Sequence, residues 1–168
     1  MELTPGMSIG PYQLVPAGAL VLTATLNGSA ATPNNLPATL VAGSDNTLLV
    51  NGSGASGKAT LISDDNSPAL NTSNAKLRLI HGIGNQASPL TLTADFSAIA
   101  TNVATNSASA PVSVAGNSAT TTTELDVTAP SVTGTLFTKN AALSAGHNYT
   151  VFMLGDTSAP TGVLLRDR

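Results

Sequence analysis

Apolar and polar residues alternate along this chain in short stretches, most of them closed by Asn, Gly, Asp or Pro. Such alternation puts every second side chain on one face, as a half-buried strand requires. Ala19 to Leu26 reads as a strand closed by Asn27-Gly28, and Thr47-Leu48-Leu49-Val50 as another closed by Asn51-Gly52. Lys58 to Ile62 follows, ending at the turn cluster Ser63-Asp64-Asp65-Asn66. Further strands are predicted at Lys76 to His81, Leu90 to Phe96, Ala119 to Val127, Tyr149 to Met153 and Gly162 to Leu165. Asn-Gly pairs suit tight turns because both residues tolerate positive φ. No stretch sustains the helical apolar period of about 3.6 residues, so the pattern predicts an all-β fold of sandwich type.

The pattern also repeats. Leu40-Val41-Ala42-Gly43 matches Leu143-Ser144-Ala145-Gly146, and Thr47 to Gly52 matches Thr150 to Gly155. Leu61-Ile62-Ser63-Asp64 matches Leu164-Leu165-Arg166-Asp167 at the same offset of 103 residues. Pro16-Ala17-Gly18 matches Val114-Ala115-Gly116 at an offset of 98. An ordered series of this kind marks two copies of one unit. The second copy opens with Lys76 to His81, well before its Ala-Gly pair, whereas the counterpart of that opening would lie upstream of Met1. The expected organisation is two tandem Ig-like β-sandwich domains. Residues 1–66 form the first, lacking its opening strand or two; 67–74 form a linker; 75–168 form the second.

Composition changes the picture in one respect. Only 9% of residues are charged and 3% aromatic, so the polar surface must come from neutral Ser, Thr, Asn and Gly. Neutral surfaces do not repel one another, which favours self-association. Net charge is −3, and only six Lys and Arg are spread along the chain, which leaves no basic stripe for nucleic acid. There is no Cys, so disulfides and thiolate metal sites are excluded. No apolar run is long enough to span a membrane. Met1-Glu2-Leu3-Thr4-Pro5 lacks the basic start and apolar core of a signal peptide; a secreted protein with this numbering would be a mature form or a fragment.

Four short motifs carry a family resemblance: the opening Ala75-Lys76-Leu77-Arg78-Leu79-Ile80-His81-Gly82, the turn Val15-Pro16-Ala17-Gly18, the strand Ala145-Gly146-His147-Asn148-Tyr149-Thr150-Val151-Phe152, and the ending Leu61-Ile62-Ser63-Asp64-Asp65-Asn66. Together they resemble the secreted bacterial family catalogued as domain of unknown function 4397. Two departures stand out: the first copy has no opening Arg/His strand, and Val114-Ala115-Gly116 lacks the Pro. The resemblance implies an extracellular β-sandwich repeat and brings no catalytic residue.

The candidate chemistry is sparse. His81, near Arg78, is a possible ligand or base, but a histidine closing a strand more often bonds the neighbouring turn. His147 falls in a turn and is expected to be exposed. Many serines are present without a Gly-x-Ser-x-Gly elbow. Asp64, Asp65 and Asn66 offer oxygens for calcium within one turn, against the plainer role of Asx turns; Asp45-Asn46 and Asp156-Thr157 read as turn residues. Gly52 to Lys58 has the glycine spacing of a phosphate loop, but Ala59 stands where a hydroxyl residue is needed and a strand follows. Sequons at Asn27, Asn51, Asn71 and Asn148 reflect composition.

No catalytic, cofactor or metal site is therefore expected. The leading expectation is a non-enzymatic extracellular structural protein, a cell-surface, filament or matrix subunit. Its partners would be copies of itself joined by strand addition, with no nucleic acid and no membrane span. The alternative is an adhesin or carbohydrate-binding module, which the scarcity of Tyr and Trp (only Tyr12 and Tyr149, no Trp) argues against. A hydrolase is the last alternative, and would need a pocket gathering His81, Arg78 and an acid.

Overall fold

The computed structural model describes residues 12–26, 29–31, 35–52 and 56–167. Regular structure among them is all strand: β1 (Gly18–Leu22), β2 (Thr25–Leu26), β3 (Ser29–Ala30), β4 (Leu36–Leu40), β5 (Asp45–Asn51), β6 (Lys58–Asp64), β7 (Asn74–His81), β8 (Leu90–Ala94), β9 (Ser97–Val103), β10 (Ser107–Ala108), β11 (Val112–Ala115), β12 (Thr123–Thr128), β13 (Thr135–Ala141), β14 (Asn148–Asp156) and β15 (Ala159–Arg166). No helix among the described residues is long and apolar enough to cross a membrane.

The second repeat supplies two sheets. One has the order β15–β14–β7, with β10 and β11 both pairing the far edge of β7; the other has the order β13–β12–β8–β9. All pairs are antiparallel except β7 with β14, which is parallel. Alternation along the strands fills the space between the sheets. Leu77, Leu79, Val151 and Met153 from one sheet meet Leu90, Leu92, Leu125 and Val127 from the other, all at 1% exposure or less. That is the main core, and sheets packed in this way about a shared apolar layer are sandwich-like.

The first repeat is built differently. β1 pairs only with β4, and β5 only with β6, as separate two-stranded sheets. Their registers nevertheless reproduce those of the second repeat. Adding 103 to both numbers of a β5–β6 pair gives a β14–β15 pair: Leu48↔Leu61 becomes Val151↔Leu164, and Leu49↔Thr60 becomes Phe152↔Val163. The same step converts β1–β4 into β12–β13, since Leu20↔Ala38 becomes Thr123↔Ala141. The offset of 98 does not follow these registers; a five-residue difference is taken up between Gly116 and β12. Among the described residues no strand of the first repeat corresponds to β7, β8, β9, β10 or β11.

Other expectations also shift. The strand expected at Ala19 to Leu26 breaks at Thr23-Ala24, and its closing Asn27-Gly28 lies outside the described residues. The strand expected to reach Phe96 ends at Ala94. Asp95 and Phe96 form a two-residue turn with φ of 45° and 65°, the primed geometry that suits a hairpin. Asp95 Oδ1 holds that turn by accepting the Glu124 N–H at 2.9 Å. Residues 119–122 precede β12 rather than belonging to it.

Equivalent residues of the two repeats stand in unequal surroundings. Leu125 is fully buried, whereas its counterpart Leu22 is only partly so. Leu125→Ala is expected to lower stability by about 2–5 kcal/mol, the range for a core cavity, and Leu22→Ala by well under half of that. Urea unfolding of the two variants measures the difference; equal losses would mean that Leu22 is packed in a closed core.

Candidate functional site: the Arg78 cluster and the uncovered face

Alternation on β7 sends Leu77 and Leu79 into the main core and Arg78 and Ile80 to the opposite face. Against that outer face lies the β5–β6 hairpin. Leu49 packs with Ile80, Phe152 and Leu154, and Ile62 and Leu165 close the cluster. Leu49 and Phe152 are repeat equivalents, and so are Ile62 and Leu165. The two hairpins thus meet through the same face, as the two sides of a twofold contact do.

Two glycines make the approach possible. A Cβ on Gly82 would sit 2.8 Å from Leu49 Cδ1 and 2.9 Å from Leu154 Cδ2, and one on Gly84 would sit 2.9 Å from Gly52 Cα.

Polar groups complete the contact. Arg78, 4% exposed, donates from Nη1 to Asp64 Oδ1 at 2.7 Å and from Nε to Thr150 Oγ1 at 2.8 Å. Thr47 donates to Asp64 Oδ2 at 2.7 Å, and Thr150 donates to Asp167 Oδ2 at 2.6 Å. These Thr–Asp pairs are again equivalents at 103 residues. Arg78 belongs to β7, which has no counterpart among the described residues of the first repeat, and its one guanidinium faces both pairs. Its Nη2 lies 3.8 Å from Asp167, an ion pair without a hydrogen bond. Burial raises the Asp167 carboxyl above the usual carboxylate range, while the Thr150 hydroxyl and Arg78 act in the opposite direction. Tyr12 donates to Asp64 Oδ2 at 2.8 Å, and burial pushes its phenol up to about 12.

The other candidate residues are dispersed. His81 closes β7 and is fully buried. The Ile83 N–H donates to Nδ1 at 3.3 Å, and Nε2 lies 3.3 Å from the Ser88 carbonyl and 3.4 Å from the Thr105 hydroxyl. The proton therefore sits on Nε2, and burial lowers the pKa below its ordinary value. Three residues apart on one strand, Arg78 and His81 project to opposite faces and do not share a pocket. His147 follows Gly146, whose φ is 77°, and is half-buried rather than exposed.

Asp64, Asp65 and Asn66 point to three different places. Asp64 enters the Arg78 cluster. Asp65 accepts from the backbone N–H and hydroxyl of Ser67 and pairs with Lys76 at 2.9 Å, which together hold its carboxyl down to about 2. Asn66 donates to Asp45 Oδ2 at 2.8 Å. Among the described residues no group of three acidic or histidine side chains converges as metal ligands would.

Asp156 caps its own turn by accepting from Ser158 and Ala159. The glycine-rich segment at 52–57 links two strands of a hairpin; residues 53–55 lie outside the described residues. Gly155 and Gly162, in the matching hairpin, are paired strand residues on either side of the two-residue turn Thr157-Ser158. Of the sequons, Asn51 and Asn148 are buried at 8% and 5%, and Asn27 lies outside the described residues.

The second feature is the opposite face of the β5–β6 hairpin. Leu48 and Val50 correspond to Val151 and Met153, both at 0% exposure in the main core. Leu48 is 37% exposed, and Leu22, Leu40, Val50 and Leu61 are only partly covered. β4 approaches β6 as β13 approaches β15, so the two hairpins keep the outline of half a sandwich. The strands that cover this layer in the second repeat, β7 on β14 and β8 on β12, have no counterpart among the described residues. Among those residues β5 pairs only with β6, and β1 only with β4.

No protein-family model matches the chain. No curated protein matches it either.

The Arg78 cluster predicts unequal roles for its two carboxylates. Asp64→Ala removes the close partner of a buried guanidinium and is expected to cost about 3–5 kcal/mol. Asp167→Asn keeps the shape and removes a charge that burial opposes, and is expected to change stability at pH 7 by less than about 1 kcal/mol. Because the folded pKa of Asp167 is raised, its contribution is full below the ordinary value of 3.8 and is lost as pH rises through the folded value. Chemical denaturation of both variants across pH checks the order; a larger loss for Asp167→Asn would contradict it.

His81 gives a pH signature of opposite sign. Its folded pKa is depressed, so its contribution is present above pH 6.5 and falls as pH drops toward the folded value. His81→Ala is expected to cost about 1–2 kcal/mol at pH 7.5 and to flatten this part of the stability profile between pH 7 and 5. An unchanged slope in the variant would assign the titration to another group.

Proposed function

We propose that this chain is a non-enzymatic extracellular structural protein, a cell-surface, filament or matrix subunit that assembles through intermolecular β-strand contacts. Its repeats would be tandem Ig-like sandwich domains, the first completed by another strand. The observation that carries this reading is the uncovered apolar layer: Leu48 is 37% exposed where its counterpart Val151 is at 0%. A sheet edge with unpaired N–H and C=O groups beside uncovered leucines attracts an added strand. Repeated head to tail, such a contact does not close and builds a fibre. A surface with few charges does not oppose it.

Several observations favour this reading over its rivals. A hydrolase would need His81 and Arg78 in one pocket, and they face apart. Two surface grooves, of about 350 and 340 Å³, are lined by no titratable side chain. A carbohydrate binder would present several rings, whereas Tyr149 is 7% exposed with its hydroxyl accepting the Ser144 N–H, Tyr12 turns its hydroxyl to Asp64, and Phe96, 84% exposed at the β8–β9 turn, stands without a second exposed ring among the described residues. The extracellular placement rests on the neutral composition and on the short motifs that resemble the secreted family.

Sedimentation of the full chain over a wide concentration range, with electron microscopy of the heaviest fraction, tests the proposal. Regular polymers that grow with concentration are expected. A monodisperse monomer at every concentration would contradict it.

A further inference from the structure

The contact between the two repeats has the form of a contact between two separate units. Leu49 and Ile62 of the first repeat meet Phe152 and Leu165 of the second, and the Thr47–Asp64 pair stands across from Thr150–Asp167. Each side is the 103-residue counterpart of the other, as in an isologous interface. These contacts form equally well whichever copy of the chain supplies the hairpin.

Residues 65–73 tie the hairpin to its own second repeat. Their first part lies on that repeat. Lys76 Nζ meets Asp65 at 2.9 Å and the Ser67 hydroxyl at 2.8 Å, the Asn148 amide donates to the Ser67 carbonyl at 3.2 Å, and Ala69 is buried. The second part, residues 70–73, reverses the chain into β7 and is exposed throughout. Leu70, the largest apolar side chain of the segment, is fully exposed. Local bonds close the reversal: the Asn71 side-chain oxygen accepts the Ser73 N–H at 2.9 Å, and the Asn71 carbonyl accepts the Asn74 N–H at 3.0 Å.

A turn of this kind opens into extended chain at small cost, because it buries no large side chain and water replaces its local bonds. Every residue before Leu70 then regains its contacts on the same face of a second copy. The closed contact is also short of its optimum. Among the described residues Arg78 Nη2 has no hydrogen-bond partner, and it stands 3.8 Å from Asp167. Closed and exchanged forms share the rest of the interface, so the turn and the protein concentration set the balance between them.

Resting on the self-assembly reading above, we propose that copies of this chain associate by exchanging first repeats. The turn at 70–73 opens, and Leu49 and Asp64 of one copy dock on Ile80, Phe152 and Arg78 of another. Each copy gives one first repeat and receives one, so serial exchange propagates.

The absence of Cys makes introduced thiols unambiguous reporters. A Cβ on Gly82 would sit 2.8 Å from Leu49 Cδ1, so thiols at these two positions come within disulfide reach when the contact forms. Full-length Leu49→Cys and Gly82→Cys chains, distinguishable by size, are mixed at high concentration and oxidised. Leu49→Cys with Phe152→Cys is the second pair, for the case that Gly82→Cys does not fold. In parallel the turn is shortened by deleting Asn71 and Thr72, which keeps the docking residues and hinders closure within one chain. A disulfide between the two different chains is expected, together with a shortened chain that assembles at roughly tenfold lower concentration. Assemblies without that disulfide and unaffected by the deletion, from chains whose double Leu49→Cys/Gly82→Cys variant closes only within itself, would overturn the exchange and leave the self-assembly reading standing. A monomer at every concentration, with or without the deletion, would remove both readings.

Discussion

One guanidinium holds the two repeats together. Arg78 is buried on the outer face of β7, and a buried cation must be met by a carboxylate and have its donors satisfied. Asp64 supplies that carboxylate from the last residue of β6, so the β5–β6 hairpin is fixed in position and register on the sandwich. The apolar contacts of Leu49 with Ile80 and Phe152 supply area, which a hairpin could slide across. The directional bonds to Asp64 and Thr150 do not permit sliding. Asp167, the equivalent carboxylate, is left at 3.8 Å from the same guanidinium. Among the described residues the two equivalent carboxylates share one Arg.

That sharing determines what the rest of the first repeat exposes. With its outer face against β7 and β14, the hairpin turns Leu48 and Val50 the other way. In a complete sandwich this second face would be the core. Here it is half a core, and among the described residues β5 and β1 each pair on one side only. An isolated two-stranded hairpin is marginal in water, so anchorage to the second repeat gives this half-sandwich its order. The same anchorage keeps its apolar layer presented. Order of the first repeat and presentation of its apolar layer are thus two results of one docking contact.

Much of this was legible in the sequence, for an identifiable reason. The 103-residue repeat preserves residue type where geometry is most demanding, at the Ala-Gly turns and along β5–β6 and β14–β15, and both hairpin registers follow it. The longer strands that went unread are β4, β9, β11 and β13: β9 (Ser97-Ala98-Ile99-Ala100-Thr101-Asn102-Val103) and β13, whose Thr138-Lys139-Asn140 face solvent, alternate weakly, β4 carries Pro37, and the end of β11 falls in the Val114-Ala115-Gly116 match. Edge strands bury little, so their pattern is faint. The Arg78 cluster was misread because proximity in sequence drew attention to His81, whereas strand alternation separates the two. Asp64 was read as a turn residue. The available signal was the repetition of the Thr47–Asp64 pair as Thr150–Asp167, a polar pair repeated on strands that are otherwise apolar.

The central claim is that the inner face and free edge of the first repeat are open in a single copy and are filled in the assembly. Hydrogen exchange at the β5 amides, followed by mass spectrometry at low and high protein concentration, measures this directly. The account predicts that amides on the edge of β5 away from β6 exchange freely in dilute solution and become protected as copies associate, while β14 stays protected throughout. Equal protection of β5 and β14 in the dilute monomer would contradict it, because the edge would then be paired within one chain.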